Sequence, residues 1–177
     1  MGINGGKKQE NIAFTGFNAY IKVKIMQLVV TQSSHQIDEK GRINIGRKYL
    51  PLFEHGGFIT RAFHNKSLVF YPGEVWNKMI NDLLQDETLD PDREDIMFYL
   101  SAGSEIKLDG QNRLSIPQDL RQRMGLEKEI TIVALGTKLE IWDSEKLRER
   151  DNMLTADVIS EKLVTVRQAN QALKEWR

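Results

Sequence analysis

Five residues have types and spacing suited to chemistry, and they fall in two short stretches. IDEKGR, residues 37–42, places Asp38, Lys40 and Arg42 around a glycine. LDGQNR, residues 108–113, places Asp109 and Arg113 around a glycine and an asparagine. In each, an Asp precedes an Arg by four residues and an apolar-polar-apolar triplet follows, INI or LSI. Glu-Lys-Gly and Gly-Gln-Asn are turn sequences, because Gly and Asn tolerate positive φ. Two readings fit. In one, the carboxylate accepts backbone N–H groups of the turn and pairs with the Arg, so the motif is a hairpin clasp. In the other, cations at a hairpin tip meet phosphates or a guanine edge in a DNA groove. Arg47 and Lys48 would add phosphate contacts, and the second tip, with one cation, would bind more weakly.

The elements that carry these tips come from a repeat. Shifted by 71 residues without gaps, the chain matches Asp38 to Asp109, Arg42 to Arg113, Ile45 to Ile116 and Ile59 to Ile130. Thr60 meets Thr131, Leu68 meets Leu139 and Glu74 meets Glu145, while Ile37/Leu108, Ile43/Leu114, Phe70/Ile141 and Tyr71/Trp142 keep apolar character. An unbroken register of this kind indicates duplication. Each copy reads as β-hairpin, short helix, β-hairpin. In the second, Pro117 suits a helix's first turn and Gly125 its stop. The later strands are FITRAF and SLVFY in one copy, EITIVAL and KLEIW in the other. A unit of about 40 residues is too small to bury a core alone, so the two must share one.

Between the copies, EVWNKMINDLL sets Trp76, Met79, Ile80, Leu83 and Leu84 on one helical face. Pro91 opens a second helix with acids in its first turn. From Thr155 onward a long helix spaces Ile159, Leu163, Val166, Asn170 and Leu173 as in a short coiled-coil seam, or as in a helix packed on its own domain. At the other end, AYIKVKIMQLVV alternates like a strand, residues 1–10 read as disordered, and Met26 is a possible natural start. The stretch lacks the pattern of a secretory signal.

Composition bounds the function. The 177 residues carry 25 Lys/Arg and 25 Asp/Glu, for a net charge of +0. The distribution is uneven: residues 1–76 hold ten basic and five acidic side chains, so the first half presents a positive surface. The absence of cysteine excludes disulfides and thiolate chemistry. His35, His55 and His64 lack metal-site spacing, and Asp92, Glu94 and Asp95 read as a solvated helix face. With no phosphate-loop glycines and no nucleophile-base pattern, we expect no enzyme, cofactor, metal or small-molecule substrate. No apolar run approaches a membrane span.

DEKGR, ITRAF…SLVFYP..VW and LDGQNRLSIPQDLR..MGLEKEITIVALGTKLEIW together resemble the MraZ family of bacterial transcriptional regulators, over roughly residues 33–150. The resemblance implies an α+β fold of two tandem AbrB/MazE-like swapped-hairpin units, interlocked as a pseudo-symmetric β-barrel with flanking helices. It divides the chain into an extension (1–30), a first repeat (31–77), connecting helices (78–103), a second repeat (104–150) and a C-terminal helix (151–177). It further implies a homo-oligomeric ring, cytoplasmic and nucleoid-associated. The ring would bind short direct repeats in double-stranded DNA upstream of its own operon, the division and cell-wall gene cluster. Lys40 and Arg42 become DNA contacts and Asp38 orients the turn, with Asp109 and Arg113 as the second copy. The family's Ile-Pro after the first tip is here Ile45-Gly46, so the first helix start is expected to be looser. The alternatives are an AbrB-like antitoxin and a ring scaffold without a specific DNA role.

Overall fold

The computed structural model describes residues 30–84 and 90–175. The strand expected over 19–30 lies almost wholly outside the described residues. The chain divides into two compact units, one ending at Asp143 and one starting at Ser144.

The first unit is α+β. Its strands are β1 (Thr31–Gln36), β2 (Arg42–Asn44), β3 (Gly57–Arg61), β4 (Leu68–Pro72), β5 (Ser104–Ile106), β6 (Arg113–Ser115), β7 (Glu129–Ala134) and β8 (Leu139–Asp143). Six form one antiparallel sheet in the order β1-β7-β8-β4-β3-β5, and β2 pairs with β6 in a separate ladder. The expectation of an opening β-hairpin in each copy needs correcting. β1 pairs with β7 and β2 with β6, so both strands of the first copy take partners from the second. β2, with three residues, makes too few bonds to hold a hairpin by itself, and its buried Ile43 meets Leu114 across the repeat.

The pairing is nearly two-fold. Ile43 faces Leu114 at the middle of the β2–β6 ladder, and Val69 faces Glu140 at the middle of β4–β8. Both pairs are 71 apart in sequence, so the duplication supplies the symmetry. Two registers depart from it, each by two residues. His35 faces Ile130, which would set Ile106 on Ile59, but Ile106 faces Gly57 instead. Ile59 faces Phe70, which would set Ile130 on Ile141, but Ile130 faces Asp143. Both slips are even, so every side chain keeps its face.

One core joins the copies. Ile43, Ile45, Tyr49, Phe53, Ile59, Leu68 and Phe70 from the first pack with Leu114, Ile116, Leu120, Met124, Ile130, Leu139 and Ile141 from the second. These are seven pairs at the same 71-residue offset. Phe53 stacks on Phe70 with ring centroids 4.0 Å apart. On the other side of the sheet, α1 (Gly73–Leu83) lays Val75, Trp76 and Met79 on Ala62, Val69 and Tyr71; of the face expected from the periodicity Trp76 and Met79 pack there, whereas Leu84 is exposed. α2 (Pro91–Leu100) starts as expected, with Asp90 accepting the Arg93 N–H at 3.0 Å and Pro91 in the first turn. α3 (Gln118–Met124) begins just after Pro117 and stops at Gly125, which is left-handed at φ 58°.

Its counterpart in the first copy is a 3-10 turn, Arg47–Leu52. Pro51 lies inside it, and a proline there removes a donor and clashes with the preceding turn. The looser start expected from Gly46 is thus a change of helix type. Glu140, buried beneath the sheet, is held by Lys138 Nζ at 2.9 Å and Trp142 Nε1 at 2.9 Å, with His64 Nε2 at 3.5 Å. Burial pushes its carboxyl up, but Lys138 and the Trp142 N–H outweigh that and leave it below its ordinary value.

The second unit consists of α4 (Ser144–Met153) and α5 (Ala156–Glu175). On α5, Ile159, Leu163 and Val166 are exposed.

Candidate nucleic-acid interface

The two tips have the same atomic construction. In the first, Asp38 Oδ1 accepts the backbone N–H groups of Lys40 and Arg42, each at 2.9 Å. Its Oδ2 accepts Arg42 Nε at 2.8 Å and Nη2 at 2.7 Å. In the second, Asp109 Oδ1 accepts the N–H groups of Gln111 at 2.9 Å and Arg113 at 3.0 Å. Asp109 Oδ2 takes Arg113 Nε at 2.8 Å and Nη2 at 2.7 Å. Backbone bonds close each loop: Asp38 N–H to Arg42 O, Gly41 N–H to Asp38 O, and the same pair 71 residues later. The turn requires positive φ at its fourth position, which Gly41 meets at 78° and Asn112 at 61°. Four donors on one carboxylate explain why the motif needs an Asp and why the Arg must follow by four.

The hairpin clasp is therefore present in both copies. It leaves the tips distinct in charge. Arg42 and Arg113 are each tied to a carboxylate, while Lys40 is exposed and makes no ion pair among the described residues. The tips sit at opposite ends of the β2–β6 ladder, because Arg42 faces Ser115 and Arg113 faces Asn44. The Asp38 hydrogen bond holds the Arg42 proton above its ordinary value, and Asp109 across the ladder adds to it. All five residues singled out in the sequence are thus gathered on one short ribbon. Lys48 is drawn away, to Thr31 Oγ1 at 3.1 Å.

Sequence reasoning missed one cation. Arg121 on α3 belongs to the second copy, yet its guanidinium lies against Gly41 in the first tip. A Cβ placed on Gly41 would meet its Cζ, Nη2 and Nε at 2.6 to 2.8 Å. Its Nε donates to Ile116 O at 3.2 Å. The 71-residue offset pairs Arg121 with Leu50 and Gly41 with Asn112, so the tips differ here. Beside the second tip lies an open cleft of about 740 Å³ lined by Leu50, Pro51, Phe53, Leu108, Asp109 and Asn112.

Asp38 and Asp109 are each held at about 2, first by the Arg side chain and then by its backbone N–H. A depressed carboxylate stabilises the fold above its unfolded value and loses that contribution as pH falls through its folded value. The clasps should be intact above about pH 4 and open as pH falls toward about 2. Carboxyl-carbon NMR titration checks this: both Asp residues should titrate near the bottom of the range, and Arg42→Ala should raise Asp38 alone, part of the way toward its ordinary value, because two backbone N–H donors remain. Two ordinary titration curves in the native protein would mean the clasps do not hold in solution.

Residues 99–150 match the model of the family described as "MraZ protein, putative antitoxin-like". A protein of Alkaliphilus oremlandii is 34% identical over 140 residues, covering 77% of this chain and 96% of the relative. The chain belongs to the MraZ family. A second relative, from Acetivibrio thermocellus, is 32% identical over 132 residues, 73% of this chain and 92% of its own length. A third, from Syntrophomonas wolfei, is 32% identical over 113 residues, 63% and 78%. All three carry the name "Transcriptional regulator MraZ". MraZ membership agrees with the resemblance read from the sequence motifs. Among the described residues no helix is long and apolar enough to cross a membrane.

Proposed function

We propose that this chain is a sequence-specific DNA-binding transcriptional regulator whose Asp-x-x-x-Arg tips contact the duplex. The observation that carries the reading is the pair of identically clasped, cation-bearing tips on one ribbon. The clasp fixes an arginine and its neighbouring backbone before DNA arrives, which lowers the ordering cost of binding. Lys40 and Arg42 are the principal contacts, Asp38 sets the turn, and Asp109 with Arg113 form the second, less basic contact. The regulator names of the relatives support this role, and the exchange of strands between copies supports reading them as tandem AbrB-like swapped-hairpin units closed into a pseudo-symmetric barrel.

Following the family resemblance, the subunits assemble as a ring in the cytoplasm, on the nucleoid, at short direct repeats upstream of the chain's own division and cell-wall operon. A ring reconciles a net charge of +0 with DNA binding. One modest tip per subunit, repeated, gains effective concentration on spaced sites. Fluorescence anisotropy tests it with duplexes from upstream of the operon that hold one repeat or several. Affinity for several repeats should exceed that for one by roughly a hundredfold, and should fall steeply with salt. Equal affinity for one and several would remove the linked-tip reading. Binding that competitor DNA erases would leave the antitoxin or scaffold alternatives, the first of which the family's antitoxin-like description keeps in view.

A further inference from the structure

We infer that Arg121 grips a phosphate of the DNA strand bound by the first tip, so that this tip is a clamp built from both copies and the second tip is not. The inference rests on the DNA-binding reading above.

The guanidinium lies on the bare backbone of Gly41, between Lys40 and Arg42 in sequence. It is anchored there by a short circuit of bonds. Arg121 Nε donates to Ile116 O at 3.2 Å, and the Ile116 N–H donates to Gly41 O at 2.9 Å. This anchoring uses Nε, and among the described residues no carboxylate pairs with Arg121. Arg42, by contrast, spends Nε and Nη2 on Asp38. The cations at this tip that no carboxylate offsets are therefore Lys40 and Arg121. A planar guanidinium already held in place loses little freedom when its outer N–H groups meet a phosphate. Gly41 is needed twice, for its positive φ and for the space its missing side chain leaves to Arg121. The second tip keeps the positive φ but not the space or the guanidinium. Asn112 replaces the glycine and Leu50 replaces the arginine, and the space beside it is the open cleft.

The test is a salt titration of DNA affinity for the full chain, on promoter DNA and on unrelated duplex. Arg121→Gln should weaken both about tenfold, and should reduce the slope of log affinity against log salt by about one per clamp engaged. Arg121→Lys should keep most of the slope. Gly41→Asn, which tolerates positive φ but displaces the guanidinium, should reproduce the Arg121→Gln loss. Since Gly41→Asn leaves Arg121 itself in place, agreement between the two separates a lost contact from a damaged α3. Wild-type affinity and slope in both variants overturn the inference. So does a loss confined to promoter DNA with the slope unchanged, which would make Arg121 a base-reading or tip-positioning residue. If those variants bind normally while Arg42→Ala does not, the clamp falls and the DNA reading stands. If the wild type binds neither duplex, both fall together.

Discussion

Arg42→Ala should lower affinity for operator DNA by a hundredfold or more, while Arg113→Ala lowers it by much less. On the reading proposed above, the first change removes a guanidinium that reaches the duplex, and a bidentate or phosphate contact of this kind is worth about 1–3 kcal/mol per tip. In an assembly whose tips engage together, the loss multiplies over the engaged copies. It also frees Asp38, which then keeps only its two backbone donors. Asp38→Asn separates the two effects, because an amide oxygen still accepts from Lys40 and Arg42 N–H but binds the guanidinium weakly. If the cation reads DNA, Asp38→Asn should retain much of the affinity that Arg42→Ala loses. Fluorescence anisotropy measures both, once light scattering has shown equal oligomer mass. Should Arg42→Ala bind like wild type, Asp-x-x-x-Arg is a clasp alone and the tips are not the interface.

Separating the copies should abolish folding altogether. A fragment ending at Leu84 contains β1 and β2 without β7 and β6, and loses half of every core pair from Ile43/Leu114 to Phe70/Ile141. It would expose Ile43, Ile45, Tyr49, Phe53 and Phe70, each at most 2% exposed in the whole chain. Burial of side chains this size contributes about 1.5–3 kcal/mol apiece, against a net stability of only about 5–15 kcal/mol for a domain. Circular dichroism of residues 1–84 and 90–177 apart should show no cooperative thermal transition, and mixing them should restore one. A fragment that melts cooperatively by itself would show that one copy closes its own core.

Much of this was legible because the duplication preserved it. The 71-residue offset pairs the two clasps, the two left-handed turn positions and the seven core pairs. Periodicity also marked Trp76 and Met79 on the packed face of α1, and capping residues placed α2 and α3. Pairing partners were not legible. A strand pattern says which face is apolar but not whose ladder it joins, so β1 and β2 read as partners when each joins the other copy. The 3-10 turn was hidden for a different reason. Gly46 marks only its start, while Pro51 inside it decides the helix type. Arg121 was overlooked because it belongs to a tip 79 residues away in sequence, and only the packing of α3 against the opposite copy brings it there.

Glu140 shows what joining two copies in one chain permits. It stands where the symmetry places Val69 opposite, at the centre of the β4–β8 pairing. If the same fold were assembled from two identical single-copy chains, any residue at that position would face itself. A glutamate there would set two buried carboxylates across one ladder, a repulsion that would split the sheet or force a proton onto one of them. Linking the copies lets one partner remain an aliphatic side chain while the other acquires Lys138, Trp142 and His64 around it. The same liberty lets arginine face glycine at one tip and leucine face asparagine at the other. A strict two-fold dimer presents the same face whichever way it is turned on a duplex. This chain has a front and a back, and on the DNA-binding reading proposed above, repeats that all point one way are the kind of DNA such an object can count.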